Sequence, residues 1–121
     1  MANLKAKSFD TPDERRTPDK TTMDVVDLDG VKAARLTFEP GWKWSECIKP
    51  VAGTDSCQNR HVGTVASGSL HVVHDDGTEL TVQPGGVYVI EPGHDAWVVG
   101  NEPCVALEFE STSAGGYAKP S

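Results

Sequence analysis

No apolar run in this 121-residue chain approaches the ~20 residues a membrane helix needs. No window carries the i, i+3, i+4, i+7 spacing of a core helix either. Basic residues are scarce: 11 Lys and Arg stand against 18 Asp and Glu, a net charge of −7. A nucleic-acid or anionic-lipid surface needs cations to displace counterions, so neither is an expected partner. Cysteine is too sparse, at three, for a disulfide framework. The opening residues have no apolar core of a signal peptide, and the expectation is a cytoplasmic chain with free thiols. There is no glycine-rich phosphate loop opening a helix, no Gly-x-Ser-x-Gly elbow and no His-Glu-x-x-His. These gaps exclude nucleotide-dependent chemistry, serine hydrolysis and zincin proteolysis as first readings.

What the chain does have is turns. Asp29-Gly30 separates Val25–Leu28 from Val31–Phe38, a strong two-residue hairpin signal. Pro40-Gly41 precedes an extended segment from Trp42 to Val51. Asp75-Asp76-Gly77 divides Val62–His74 from Thr78–Val82, and Pro84-Gly85-Gly86 leads into Val87–Ile90. Ala96–Val99 and Cys104–Phe109 follow. In the last segment Val105, Leu107 and Phe109 alternate with Cys104, Ala106 and Glu108, so the apolar trio is expected to face the core. Eight or so short strands without helices predict an all-β jelly-roll barrel. Residues 1–22 and 111–121 are polar and lack periodicity. They are expected to be a flexible arm and tail around a barrel domain at 23–110.

The runs His61-Val62-Gly63-Thr64-Val65-Ala66-Ser67-Gly68, Pro84-Gly85-Gly86 and Glu91-Pro92-Gly93-His94 resemble the cupin superfamily. Pro40-Gly41-Trp42-Lys43-Trp44-Ser45-Glu46 and Gly93-His94-Asp95-Ala96-Trp97 are similar to small single-domain bacterial cupins without an assigned activity. The resemblance covers residues 36–110. It implies a cupin-type barrel, a homodimer and a divalent metal held by two histidines and a glutamate of one motif and a histidine of a second. Here that ligand pattern is degenerate. His61 stands in the glutamate slot, Asp55 and Cys57 in the histidine slots, and Ala96 in the second-motif slot, with His94 two residues before it. Cys47 stands where the smaller group carries a histidine.

The candidate metal ligands are therefore His61, His94, Cys57 and Glu46, with zinc or iron as the ion. Glu46, His61 and His94 are also the candidate catalytic groups. Glycine at 63, beside His61, is expected to leave room for a ligand. By strand parity Trp42, Trp44, Glu46 and Ile48 share a face, which would put an acid among aromatics and raise its pKa. Trp44, Tyr88 and Trp97 are packing residues or walls of a ligand pocket. His71 and His74 fall on opposite strand faces and do not form a chelating pair. Asp55 and Asp95 read as turn formers. Three functions follow: a metal-binding enzyme acting on a small organic molecule, a non-catalytic binding or sensing module, and a metal-free acid-base enzyme.

Overall fold

The Asp29-Gly30 corner adopts positive φ at both residues, 54° and 98°, and this twist closes the first hairpin. In the computed structural model, which describes residues 3–109, 116 and 117, that hairpin joins strands β2 (Thr21–Leu28) and β3 (Val31–Phe38) in a register that pairs Leu28 with Val31. Among the described residues there are seven further strands: β1 (Glu14–Arg16), β4 (His61–Ser67), β5 (Ser69–His74), β6 (Glu79–Val82), β7 (Val87–Ile90), β8 (His94–Val99) and β9 (Cys104–Glu108). They form an antiparallel sheet in the order β1-β2-β3-β9-β4-β7 and a second in the order β6-β5-β8. Alternate residues from both sheets, among them Met23, Leu36, Val65, Val72, Ile90 and Val98, fill the space between. The chain crosses from one sheet to the other between β4 and β5 at Gly68, φ 72°, where a Cβ would collide with the Pro103 carbonyl oxygen. The architecture is a cupin-type jelly-roll barrel.

Three expectations are corrected. The segment expected as a strand from Trp42 to Val51 forms two one-turn helices, α1 (Trp44–Cys47) and α2 (Lys49–Ala52). Trp44, Cys47 and Ile48 are buried, an i, i+3, i+4 set that a period-two reading splits across two faces. Pro50, poor in a strand interior, sits in the first turn of α2, and Gly53 ends that turn at φ 78°. Secondly, β9 faces the other way: Cys104, Ala106 and Glu108 are buried, Val105 and Leu107 are half-buried, and Phe109 is 62% exposed. Alternation defines two faces but does not say which is inside.

Thirdly, residues 1–22 are not merely an arm. They contribute β1, which pairs along β2, and the start of β2. Buried Asp24 accepts from Arg15 Nε at 2.6 Å and from Arg35 Nη2 at 3.0 Å, and Arg35 also reaches Asp10 and the ring of Phe9. A carboxylate taken out of water is stable only with such cationic donors. Most of the expected tail lies outside the described residues, but Tyr117 is buried.

Candidate metal centre

His61 opens β4 and His94 opens β8, so each imidazole stands at the end of a different sheet and points inward with its strand's core face. Cys57 lies in the loop before β4. A backbone clamp binds it to the other half of the chain: Cys57 N–H donates to the His94 carbonyl and Gly93 N–H to the Cys57 carbonyl, both at 2.7 Å. Gly93, at φ 100°, supplies the turn this clamp requires. All three side chains are buried, and one ligand atom from each lies within 4.8 Å of the others.

The hydrogen bonds around these rings anchor one nitrogen of each. His94 Nδ1 is 2.9 Å from the Glu91 carbonyl, which can only accept, so Nδ1 carries a proton. His61 Nδ1 donates to Glu108 Oε1 at 2.8 Å, while its Nε2 lies 3.5 Å from Cys57 Sγ. The second oxygen of Glu108 accepts a 2.7 Å bond from the Tyr88 hydroxyl. Each imidazole is thus anchored by a donor bond through Nδ1, the arrangement that orients metal-ligating histidines. The sulfur–nitrogen spacing fits as well. An ion about 2.3 Å from a thiolate and about 2.0–2.1 Å from an imidazole, at a tetrahedral angle, sets the two donors about 3.5 Å apart.

Protons divide unevenly in this cluster. Burial opposes a charged His61 ring, but the charge of Glu108 and the hydrogen bonds to Cys57 and Glu108 outweigh it and raise the pKa to about 10. Burial likewise opposes a Cys57 thiolate, yet bonding to His61 and His94 lowers its pKa to about 6. The two shifts run in the directions that favour a thiolate–imidazolium pair of Cys57 and His61. Tyr88 is pushed well above its usual range by burial and by the charge of Glu108, so it remains a donor.

Of the residues proposed from sequence, the structure gathers His61, His94 and Cys57 and leaves others outside. Glu46 is exposed on α1, because the helical turn sends Trp44 and Cys47 inward and their neighbour out. The carboxylate of the site is Glu108, whose strand face had been read as the outer one. Gly63 leaves room for this acid and not for a ligand: a Cβ there would strike the Leu107 carbonyl and lie 2.9 Å from Glu108 Cγ. Trp44 lines the cavity beside the histidines. Tyr88 supports Glu108. Trp97 faces away from the centre, where its ring packs against His71 and beneath Lys43 Nζ. Asp55 is fully exposed, and Asp95 accepts from the Ser45 N–H at the start of α1. His71 and His74 make separate hydrogen bonds, to Thr81 and Glu79 and to the Pro92 carbonyl.

The cavity beside the centre is about 20 Å3, room for roughly one water, and Leu36, Phe38, Trp42, Trp44 and Tyr117 are among its walls. Tyr117, at 3% exposure, packs edge-on against His61 with ring centroids 4.9 Å apart. A larger groove of about 350 Å3 between β6 and β7 includes Leu80, Val89, His74 and Glu91 and brings no metal-ligating cluster together among the described residues.

These features define a cupin-type barrel with a buried Cys-His-His cluster. No protein-family profile matches the chain, and no curated protein is similar to it in sequence. Solved structures share its fold. A protein of unknown function from Rhizobium leguminosarum superposes with a TM-score of 0.64 over 88% of this chain and 95% of its own, at 16% identity. A DUF1255 protein of unknown function from Acidithiobacillus ferrooxidans does so with a TM-score of 0.59 over 82% and 88%, at 17% identity. The oxalate decarboxylase of Lactobacillus farciminis, solved as a formate complex, matches with a TM-score of 0.53 over 77% of this chain and 30% of its own, at 20% identity.

Proposed function

We propose that the protein is a metal-binding cupin in which Cys57, His61 and His94 hold a divalent ion and a small organic molecule is the substrate. The observation that carries this reading is the convergence of one cysteine sulfur and two oriented imidazoles within 4.8 Å, each ring committed through Nδ1 to a fixed acceptor. A sulfur donor among nitrogens favours zinc, with iron(II) as the other candidate. Three protein donors leave an open coordination position, and a bound ion would supply Lewis acidity there. Glu108 orients His61, Tyr88 fixes Glu108, and the aromatic walls keep the site dry.

Elemental analysis of protein purified without an affinity tag tests this. The expected result is about one zinc or iron per chain in the wild type and less than about a tenth of that in His61→Ala and Cys57→Ala, since two donors cannot close a structural or catalytic site. Metal-free wild-type protein, after growth and purification with zinc and iron supplied, contradicts it. One observation favours a second reading, a metal-free enzyme. Tyr88, Glu108, His61 and Cys57 form an orienter–base–nucleophile chain, and such a chain activates a thiol without an ion. Turnover that survives complete metal removal would select it.

A cytoplasmic location fits three unpaired, buried thiols. We also propose a homodimer through the outer face of β7, β4 and β9, where Val87, Val89 and Phe109 are 80%, 55% and 62% exposed beside half-buried Leu107. Light scattering is expected to give twice the 12.9 kDa chain mass and to fall to the single mass in Val89→Lys. A wild-type monomer at micromolar concentration contradicts the dimer.

A further inference from the structure

Tyr117 makes two contacts that resemble ligand recognition. Its ring stands edge-on to His61, at an interplanar angle of 83°, in the cavity walled by Phe38, Trp42, Trp44 and Ile90. Its main-chain carbonyl accepts a 2.6 Å hydrogen bond from Arg16 Nη1. Arg16 is itself buried, and Glu14 braces it through Nε at 2.7 Å and Nη2 at 3.0 Å, so the guanidinium is fixed before anything binds. One residue therefore places an aromatic ring on an imidazole and an acceptor oxygen on a guanidinium, with Cβ, Cα and the carbonyl carbon between them.

Two indoles of the same cavity carry donors with no partner among the described residues. Trp42 Nε1 and Trp44 Nε1 are buried and make no hydrogen bond among the described residues, and both tryptophans line the same cavity as Tyr117. A buried orphan donor costs about 1–3 kcal/mol, and native interiors hold few. With Tyr117 present only about 20 Å3 remains, which no organic substrate fits.

We propose that this chamber binds an arylalkanoate, an aromatic ring joined by a short carbon chain to a carboxylate, and that Tyr117 is its built-in stand-in. The ligand's ring replaces that of Tyr117 against His61, and its carboxylate takes the Arg16 donor. This deepens the proposed function and rests on it for what the neighbouring Cys57-His61-His94 centre does once the ring is seated. While Tyr117 is in place, the protein blocks its own site.

The test is a titration of full-length wild type and Tyr117→Ala with para-hydroxyphenylpropionate, which reproduces the ring-to-carbonyl path of tyrosine. Binding is followed by tryptophan fluorescence and calorimetry. The expected result is one site per chain, filled at least about tenfold more tightly in Tyr117→Ala, because the internal competitor is gone. Para-cresol and propionate, each lacking one half, are expected to bind at least about tenfold more weakly than the whole. Equal affinity in both proteins, or no binding to Tyr117→Ala at millimolar ligand, overturns the inference.

Should Tyr117→Ala fail to fold, fluorotyrosine-labelled wild type carries only two tyrosines, Tyr88 and Tyr117, and Tyr117→Phe assigns their resonances. Saturating ligand must then move the Tyr117 signal toward that of free fluorotyrosine; an unmoved signal overturns the inference. Parallel titrations of metal-free and zinc-treated protein separate the two claims. Ligand binding by a chain that takes up no metal supports the chamber and sinks the centre, whereas zinc uptake without ligand binding does the reverse.

Discussion

Glu108→Ala should lower the stability of the metal-free protein by about 3–5 kcal/mol, the cost of removing one partner from a buried ion pair. The carboxylate is 4% exposed and serves two donors at once, His61 Nδ1 and the Tyr88 hydroxyl. Without it an imidazolium and a phenol are left in an apolar interior. Urea unfolding measures the loss, and a change below about 1 kcal/mol would mean that the pair is not buried as described. Glu108→Gln keeps the shape and removes the charge. It should fold, yet bind zinc about 10–100-fold more weakly in chelator competition, the usual penalty for losing the partner that orients a ligating histidine. Unchanged zinc affinity in Glu108→Gln would remove Glu108 from the site.

Zinc affinity should rise about tenfold per pH unit between pH 7 and 9, with release of about one proton per ion bound. The sign follows from the metal-free cluster. The His61 pKa is raised to about 10, so the ring still holds its Nε2 proton throughout this window and the ion must displace it. Cys57, lowered to about 6, is already a thiolate and releases nothing. Below about pH 6 its sulfur is protonated as well, and the dependence steepens. Stability of the metal-free chain runs with the same groups. The His61 contribution is complete below its unfolded pKa of 6.5 and is lost as pH climbs through about 10. The Cys57 contribution is complete above 9.0 and is lost as pH falls through about 6. Calorimetry in buffers of different ionisation enthalpy counts the protons. A pH-independent zinc affinity from 7 to 9 would contradict the thiolate–imidazolium pair.

The barrel was legible because its turns are local. Asp29-Gly30, Asp76-Gly77 and Pro84-Gly85-Gly86 each announce themselves within a few residues, and the positive φ angles at Gly30, Gly77 and Gly85 are what those residues permit. The convergence of His61 and His94 was legible through the resemblance of the flanking motifs to cupins. Two parts of the site were not, for different physical reasons. Glu108 shares its strand face with only Cys104 and Ala106. The larger Val105, Leu107 and Phe109 therefore seemed the better core, although small residues are what close approach to Gly63 and a buried acid demand. Glu46 failed because one proline and a helical spacing of three buried residues outweigh apparent alternation over so short a segment. Tyr117 left a single clue, an isolated aromatic in a polar stretch, and its placement depends on Arg16, 101 residues away. No local pattern reports such a contact.

The most direct measurement is X-ray absorption at the zinc edge of protein loaded with one equivalent. A first shell of one sulfur near 2.3 Å with nitrogen or oxygen neighbours near 2.0–2.1 Å, the sulfur vanishing in Cys57→Ser, is the expected spectrum. A shell of nitrogen and oxygen alone in the wild type, or zinc that washes off at equilibrium, would contradict a metal centre built on Cys57, His61 and His94.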